Sequence, residues 1–117
     1  MRNSIFASTL VILNLPMIVH ADSGLSVGHL KAICSDRTES AKLMCNSYMQ
    51  GFLGGASWAL LFTKDLPSAR YCLPPDGVTI RRVVTIFLDY ADRSPETINE
   101  PAHIELYGAL RDEFPCQ

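Results

Sequence analysis

Residues 45–62 of the chain read CNSYMQGFLGGASWALLF. Neither proline nor an Asn-Gly or Asp-Gly pair interrupts this run, so it predicts one long helix and not a loop or an amyloid-like apolar segment. In a helix, one i, i+4 row holds only small side chains, which are Ser47, Gly51, Gly55 and Ala59. Because a glycine inside a helix costs about 1 kcal/mol relative to alanine, the row predicts compensating close packing against another backbone.

Large apolar side chains flank this small-residue row on both sides. A helix that is apolar over most of its circumference is usually buried on several sides. The run therefore predicts the central helix of a small bundle, or a helix that also faces a second subunit. The flanking residues are Leu43, Met44, Tyr48, Phe52, Leu53, Trp58 and Phe62.

The first 21 residues are predicted to be a secretory signal peptide. Arg2 supplies the positive charge, an apolar run extends from about residue 5 to 19, and Ala21 suits cleavage before Asp22. The alternative is an uncleaved membrane anchor, but the run is short for a membrane span and Pro16 interrupts it near its end. Residues 22–117 are thus predicted to form a single exported domain.

The charge balance of this domain disfavours nucleic acid as a partner. The whole chain has 10 Lys and Arg against 12 Asp and Glu. Loss of Arg2 with the signal peptide leaves nine basic residues and a net charge near −3, whereas phosphate binding needs a basic face. No second long apolar run follows, so we expect a mature protein that is not held in a membrane.

Apolar periodicity and capping residues predict an all-α fold, a small bundle of four helices or of four and one extra short helix. The clearest pattern is that of the third helix, in which Thr79 is the expected N-cap and Ile80, Val83 and Phe87 share one face. The fourth helix is expected to be capped around Asn99 or Glu100. The helices are predicted at about residues 26–34, 40–62, 79–93 and 99–114.

All four cysteines fall in the predicted mature domain, and an even count in a small exported chain indicates disulfides. Three pairings are possible. Antiparallel packing of consecutive helices favours Cys34 with Cys45 and Cys72 with Cys116. We therefore expect a bundle stapled twice.

Known catalytic and metal-binding signatures are missing, so the sequence predicts no enzyme activity, no metal and no cofactor. His103 has no positioned nucleophile near it in the sequence, and the three glycines of residues 51–55 lack the Lys-Ser or Lys-Thr of a phosphate loop. Such a chain is expected to act by binding.

Several short motifs occur along the predicted mature domain. They are Cys45-x-x-Tyr48-x-x-Gly51-Phe52, Cys72-x-Pro74-x-x-Gly77-Val78-Thr79, Val83-Val84 with Leu88, Pro95-Glu96, Ala109-Leu110 and Phe114-Pro115-Cys116. In this combination the chain resembles the type VI secretion immunity proteins of the Rap/Tai group, the resistance-associated or type VI amidase immunity proteins. One departure is the loop after Cys72, which is one residue longer than in the tightest versions of the motif.

The resemblance implies a periplasmic, all-helical and often dimeric protein that binds and occludes a peptidoglycan amidase delivered by neighbouring cells. It also implies that a loop between the later helices plugs the amidase active site. In this chain the matching stretch is residues 92–100, and the residues implied to contact the toxin are Asp92, Arg93, Glu96, Asn99 and Glu100.

Two other hypotheses compete with this one. The first is a periplasmic stress or holdase protein, which needs exposed apolar surface and loosening at low pH. The second is a small cell-wall hydrolase that uses carboxylates between Asp89 and Glu105, since paired carboxylates cleave glycosidic bonds. A solvated acidic surface is the ordinary explanation for those carboxylates.

Overall fold

Four α-helices form the part of the chain that the computed structural model describes, which is residues 24–62, 65–66 and 69–117. The predicted signal peptide lies outside these residues. The all-α prediction is confirmed, and the extra short helix is a 3-10 helix. The elements are α1 (Val27–Ser35), α2 (Glu39–Phe62), α3 (Ile80–Arg93), the 3-10 helix (Pro95–Thr97) and α4 (Ala102–Glu113).

Side-chain caps begin the first three helices. The Ser26 hydroxyl accepts from the His29 amide and the Thr79 hydroxyl accepts from the Arg82 amide, as the sequence predicts. The Thr38 hydroxyl accepts from the amide of residue 41 at the start of α2, and an Asp36 carboxylate oxygen accepts from the Thr38 amide at 2.8 Å. Hydrogen bonding from Thr38, chiefly from its amide, lowers the pKa of Asp36, because it favours the charged form of the carboxylate.

The fourth helix begins later than predicted. Its N-cap is Pro101, not Asn99 or Glu100. The preceding residues instead continue a tight turn, in which the Ile98 amide donates to Pro95 and the Glu100 amide donates to Thr97. This turn directs the carbonyl groups of residues 98 and 100 towards α1.

The centre of the bundle is α1 with α3, each of which packs against the other three helices. The prediction that α2 is the buried central helix is wrong for the single subunit. Within the described residues α2 fully buries only one narrow face. Its buried residues are Ala41, Cys45, Met49 and Ala56. Beside this face, Tyr48, Phe52, Leu53 and Leu60 are partly buried against the core, whereas Leu43, Met44, Trp58, Leu61 and Phe62 are exposed.

Both predicted disulfides are confirmed. Cys34 at the end of α1 bonds Cys45 in α2, with 5.1 Å between the Cα atoms. Cys72 bonds Cys116 with a Cα separation of 5.0 Å, and the Cys72 amide also donates to the Phe114 carbonyl at 2.8 Å. The linker after α2 is thereby fixed to the end of α4.

Aromatic side chains attach the same linker to the middle of α4. Tyr71 is buried and meets the Tyr107 ring edge-on, with 5.3 Å between the ring centroids. The Tyr107 hydroxyl donates to the carbonyl of Ala69 at 2.7 Å.

Among the described residues, no helix is long and apolar enough to cross a membrane.

Candidate functional site

The loop from Asp92 to Glu100, which we call the α3–α4 loop, is held by the first turn of α1. The Gly28 amide donates to the Ile98 carbonyl at 2.8 Å, and the Val27 amide donates to the Glu100 carbonyl at 2.9 Å. The first amides of a helix have no partner inside it. Here the loop supplies those partners, so its main chain is fixed directly to the bundle.

A third hydrogen bond completes this attachment on the far side of the loop. The amide of Ala102, the first residue of α4, donates to the carbonyl of Leu25 at 2.8 Å. The segment just before α1 therefore runs alongside the segment just before α4. The loop is clamped at its C-terminal end by residues 25–28.

The five residues predicted to contact a toxin are all exposed on this clamped loop. Asp92 makes an ion pair with Lys31 of α1, with 2.6 Å between the charged atoms. The Arg93 side chain donates to the carbonyl of Asp89 one turn earlier. The acidic groups of Glu96 and Glu100 therefore give the loop its net negative charge.

A partly buried hydrogen bond links the two helices on either side of the loop. The Tyr90 hydroxyl on α3 donates to a Glu105 carboxylate oxygen on α4 at 2.8 Å. This hydrogen bond, together with burial and the charges of Glu105, Asp112 and Glu96, raises the pKa of Tyr90. A second link across α3 and α4 is the ion pair of Arg82 with Glu113.

The small-residue row of α2 lies on the outside of the subunit. A Cβ atom added at Gly51, Gly54 or Gly55 would meet no atom within 4 Å other than the adjacent residues and the nearby backbone of α2 itself. The predicted close approach of a second backbone therefore does not occur within the described subunit. Ser47 and Ala59 of the same row are also exposed.

An apolar groove runs between this row and α4, with a volume of about 480 Å³. The α2 side of the groove was part of the predicted helix-packing surface. The α4 side was missed, although the i, i+4 spacing of His103 and Tyr107 could have indicated it. The groove is lined by Gly51, Phe52, Gly55, Ala56, Ala59, His103, Ile104 and Tyr107.

Four of the carboxylates considered for hydrolysis, Asp89, Asp92, Glu96 and Glu100, lie on exposed positions, whereas Glu105 is half-buried and accepts from Tyr90. Residues 24–62, 65–66 and 69–117 contain no group of three or more His, Cys, Asp or Glu that could hold a metal ion. The arrangement is suited to contact with a macromolecule through a rigid acidic loop and an apolar helix face.

These features define a small, disulfide-bonded helical domain. A family model described as Rap1a immunity proteins matches residues 26–116. The chain therefore belongs to the Rap1a immunity protein family, which is consistent with the resemblance drawn from the cysteine and glycine motifs. No curated protein matches the chain, and no solved structure matches it.

Proposed function

We propose that this protein is a periplasmic immunity protein that binds and inhibits a peptidoglycan amidase delivered by a type VI secretion system. It acts by occlusion and catalyses no reaction of its own. The family match over residues 26–116 supports the immunity function. The amidase as target and the type VI system as its source rest on the resemblance to the Rap/Tai group.

The observation that carries this proposal is the clamped α3–α4 loop. Its backbone carbonyls at residues 98 and 100 are hydrogen-bonded to α1, while Glu96, Asn99 and Glu100 remain exposed. A loop that is already ordered loses little conformational entropy on binding, so more of the contact energy appears as affinity. We propose that this loop enters the active-site cleft of the amidase.

Electrostatics support a toxin with a basic rim around its cleft. Glu96 and Glu100 are exposed, whereas Asp92 is already paired with Lys31. Opposite charges on the two surfaces speed encounter and disfavour wrong partners. We propose that Arg93 and Asn99 add hydrogen bonds at the edge of the same contact.

Two disulfides and the predicted signal peptide support a periplasmic location. Structural disulfides persist in oxidising compartments and are rare in the cytosol. Both bridges join helices or linkers of the domain core, and no free cysteine remains in the described chain. We propose cleavage of the signal peptide before Asp22, and a pair of identical subunits as the working form.

Co-expression with the candidate toxin tests the proposal. The toxin to be used is a small Cys/His amidase sought among the products of the neighbouring reading frames, and it is directed to the periplasm with a signal peptide. Cells that also make the full chain should grow, and cells that make residues 22–117 without the leader should lyse. Lysis in both strains, with the full chain present in the periplasm, would refute the immunity function.

A holdase function is the second candidate, because α2 exposes several large apolar side chains. Such a surface could bind unfolded clients. Suppression of the aggregation of an unrelated client at acid pH, without protection from the amidase, would favour this alternative.

A further inference from the structure

A second groove lies between the beginnings of α2 and α3, on the flank of α2 away from the small-residue row. Its volume is about 400 Å³. Cys45 and Val84 form its floor, because the first is buried and the second is partly buried against the core. Lys42 and Arg81 are exposed and stand at its rim. We call it the basic groove. An apolar floor with a few polar groups around it is typical of binding sites of this size.

The rim of the basic groove is positive in a protein whose net charge is −2. None of the residues that line the groove is acidic. Within the part of the chain that the structure describes, Arg81 makes no ion pair, in contrast to Arg82, which pairs with Glu113. Lys42 pairs with Glu39, but both side chains are exposed, and such pairs are weak. The groove therefore offers two cations to an incoming carboxylate.

The basic groove and the α3–α4 loop lie on the same side of α3. Arg81, Thr85 and Asp92 are spaced by four and seven residues, which places them in one row along a helix. Arg81 and Thr85 line the groove, whereas Asp92 begins the loop. The helix α1 borders the same row, since Lys31 pairs with Asp92 and Cys34, one turn further on, lines the groove.

The loop and the groove are close enough to belong to one binding surface. Eleven residues separate Arg81 from Asp92, which corresponds to roughly 16 Å along a helix. A standard protein interface buries about 800 Å² on each partner, which is a patch roughly 30 Å across. A partner that covers the loop can therefore also cover the groove.

We propose that the basic groove is a second contact site for the amidase, and that it binds a surface segment in which an acidic residue stands beside an apolar one. The carboxylate lies between Lys42 and Arg81. The apolar side chain packs on Val84 and on the Cys34–Cys45 bridge. This inference rests on the proposed function and names the chemistry of the partner surface.

Charge complementarity favours a folded protein as the occupant. The shared surface is acidic at the loop, through Glu96 and Glu100, and basic at the groove. Its partner therefore needs a basic patch and an acidic patch at a matching distance. One folded protein holds two such patches at a fixed separation, whereas a free carboxylic acid would fill the groove alone. Two oppositely charged contacts also fix the orientation of the partner, which one contact does not.

Affinity measurements with the mature protein and the amidase test the groove. Arg81→Glu should weaken binding at least about 10-fold, because it removes a cation and sets a like charge against the acidic segment. Arg111→Glu is the matched control, since it makes the same change at an exposed arginine outside the groove and the loop. The control should change the affinity by less than about 3-fold.

Both variants should keep the circular dichroism spectrum of the wild-type protein. Residues 81 and 111 are exposed, so neither change disturbs the core. Residue 81 also lies in the first turn of α3, where a negative charge is favourable because of the helix dipole. A loss of affinity in Arg81→Glu therefore reports the contact and not the fold.

Charge reversal on the amidase identifies the partner residue. Each exposed Asp and Glu of the amidase is changed to Lys in turn. One of these reversals should weaken binding of the wild-type protein and restore binding of Arg81→Glu.

Three results would overturn the inference. Equal affinities of the Arg81→Glu and Arg111→Glu proteins, with inhibition by the wild type intact, would exclude the groove contact and leave the immunity function standing. A weakened Arg81→Glu protein that no reversal in the amidase restores would exclude an acidic partner segment. Failure of the wild-type protein to bind the amidase would overturn both the groove contact and the proposed function.

Discussion

Gly28 lies directly against Ile98. A Cβ atom at residue 28 would stand 3.2 Å from the Ile98 carbonyl oxygen and 3.1 Å from the Ile98 Cγ1 atom. The same carbonyl accepts the Gly28 amide hydrogen at 2.8 Å. The first turn of α1 and the α3–α4 loop therefore touch at a position where an added methyl group would be crowded.

Gly28→Ala should displace the loop. Alanine is the better helix former by up to about 1 kcal/mol, but crowding against a backbone oxygen costs about 1–3 kcal/mol and cannot be relieved by a rotamer change. We expect lower stability and faster hydrogen exchange of the residue 28 amide. The measurement is native-state hydrogen exchange together with chemical denaturation.

Gly108→Ala is the control for that change. It also lies within a helix, but its Cβ would meet only the Tyr90 hydroxyl at an ordinary 3.7 Å. This variant should gain stability from helix propensity. Equal stability of the two variants would show that the loop is not held against Gly28.

Removal of either disulfide should destabilise the domain, and removal of the one with the longer loop should do so more. The bridges close sequence separations of 44 residues for Cys72–Cys116 and 11 residues for Cys34–Cys45. Each bridge restricts the unfolded chain, and this should contribute about 4 kcal/mol to the free energy of unfolding for Cys72–Cys116 and about 3 kcal/mol for Cys34–Cys45. Urea denaturation of the paired alanine variants measures the difference.

Alanine is used at both positions so that no hydroxyl is left at the buried Cys45 site. A domain of this size has a small stability reserve, so both variants should unfold at markedly lower temperature. Unchanged stability after loss of the Cys72–Cys116 bridge would contradict its role in fixing the linker to α4.

Tyr90→Phe should lower stability in a pH-dependent way. The hydrogen bond to Glu105 contributes about 1 kcal/mol and, with burial, raises the pKa of Tyr90 above its ordinary value. A raised pKa means that the neutral form is favoured in the folded state. The contribution is complete below the unfolded pKa of about 10 and is lost as the pH rises through the folded pKa.

The difference between wild type and Tyr90→Phe should therefore be constant near neutral pH and should shrink above about pH 10. Urea unfolding at a series of pH values measures it, and the other tyrosines cancel because both proteins contain them. A difference that grows with pH in the alkaline range would contradict the assigned hydrogen bond.

Charge reversal on the loop should weaken inhibition without affecting the fold. Glu96→Lys with Glu100→Lys should reduce affinity for the amidase by about 10–100-fold, mainly through slower association. Both positions are exposed, so the free energy of unfolding should change by less than about 0.5 kcal/mol. Surface plasmon resonance at two salt concentrations measures the effect.

Asp65→Lys with Asp76→Lys is the matched control for the double reversal, because both are exposed acids in the linker between α2 and α3. It should leave the association rate nearly unchanged. Equal slowing by the control and the loop variant would indicate a general charge effect and not a contact at the loop.

Local sequence patterns were sufficient for most of the secondary structure. The Ser26 and Thr79 caps and the apolar period of α3 follow from short-range rules, and the structure contains them. Both cysteine pairs follow from the antiparallel packing of consecutive helices, and the structure contains them too. The start of α4 was misplaced because the residues before it bond to α1. A helix boundary set by a distant segment cannot be obtained from local capping preferences.

The position of α2 in the bundle could not be predicted for a related reason. An apolar run with small residues has the same appearance whether it is buried in the subunit or exposed for a partner. Only the packing of α1 and α3 decides that Met49 faces the core and Trp58 faces outwards. The same packing explains why the groove beside His103 was missed, since it requires the relative positions of α2 and α4.

The most direct test of the account is a titration of the purified amidase with the mature protein, with release of peptidoglycan fragments as the readout. Amidase activity should fall linearly to zero at one immunity subunit per amidase, and the protein alone should release no fragments. Full amidase activity in the presence of a large excess of folded, disulfide-bonded protein would contradict it.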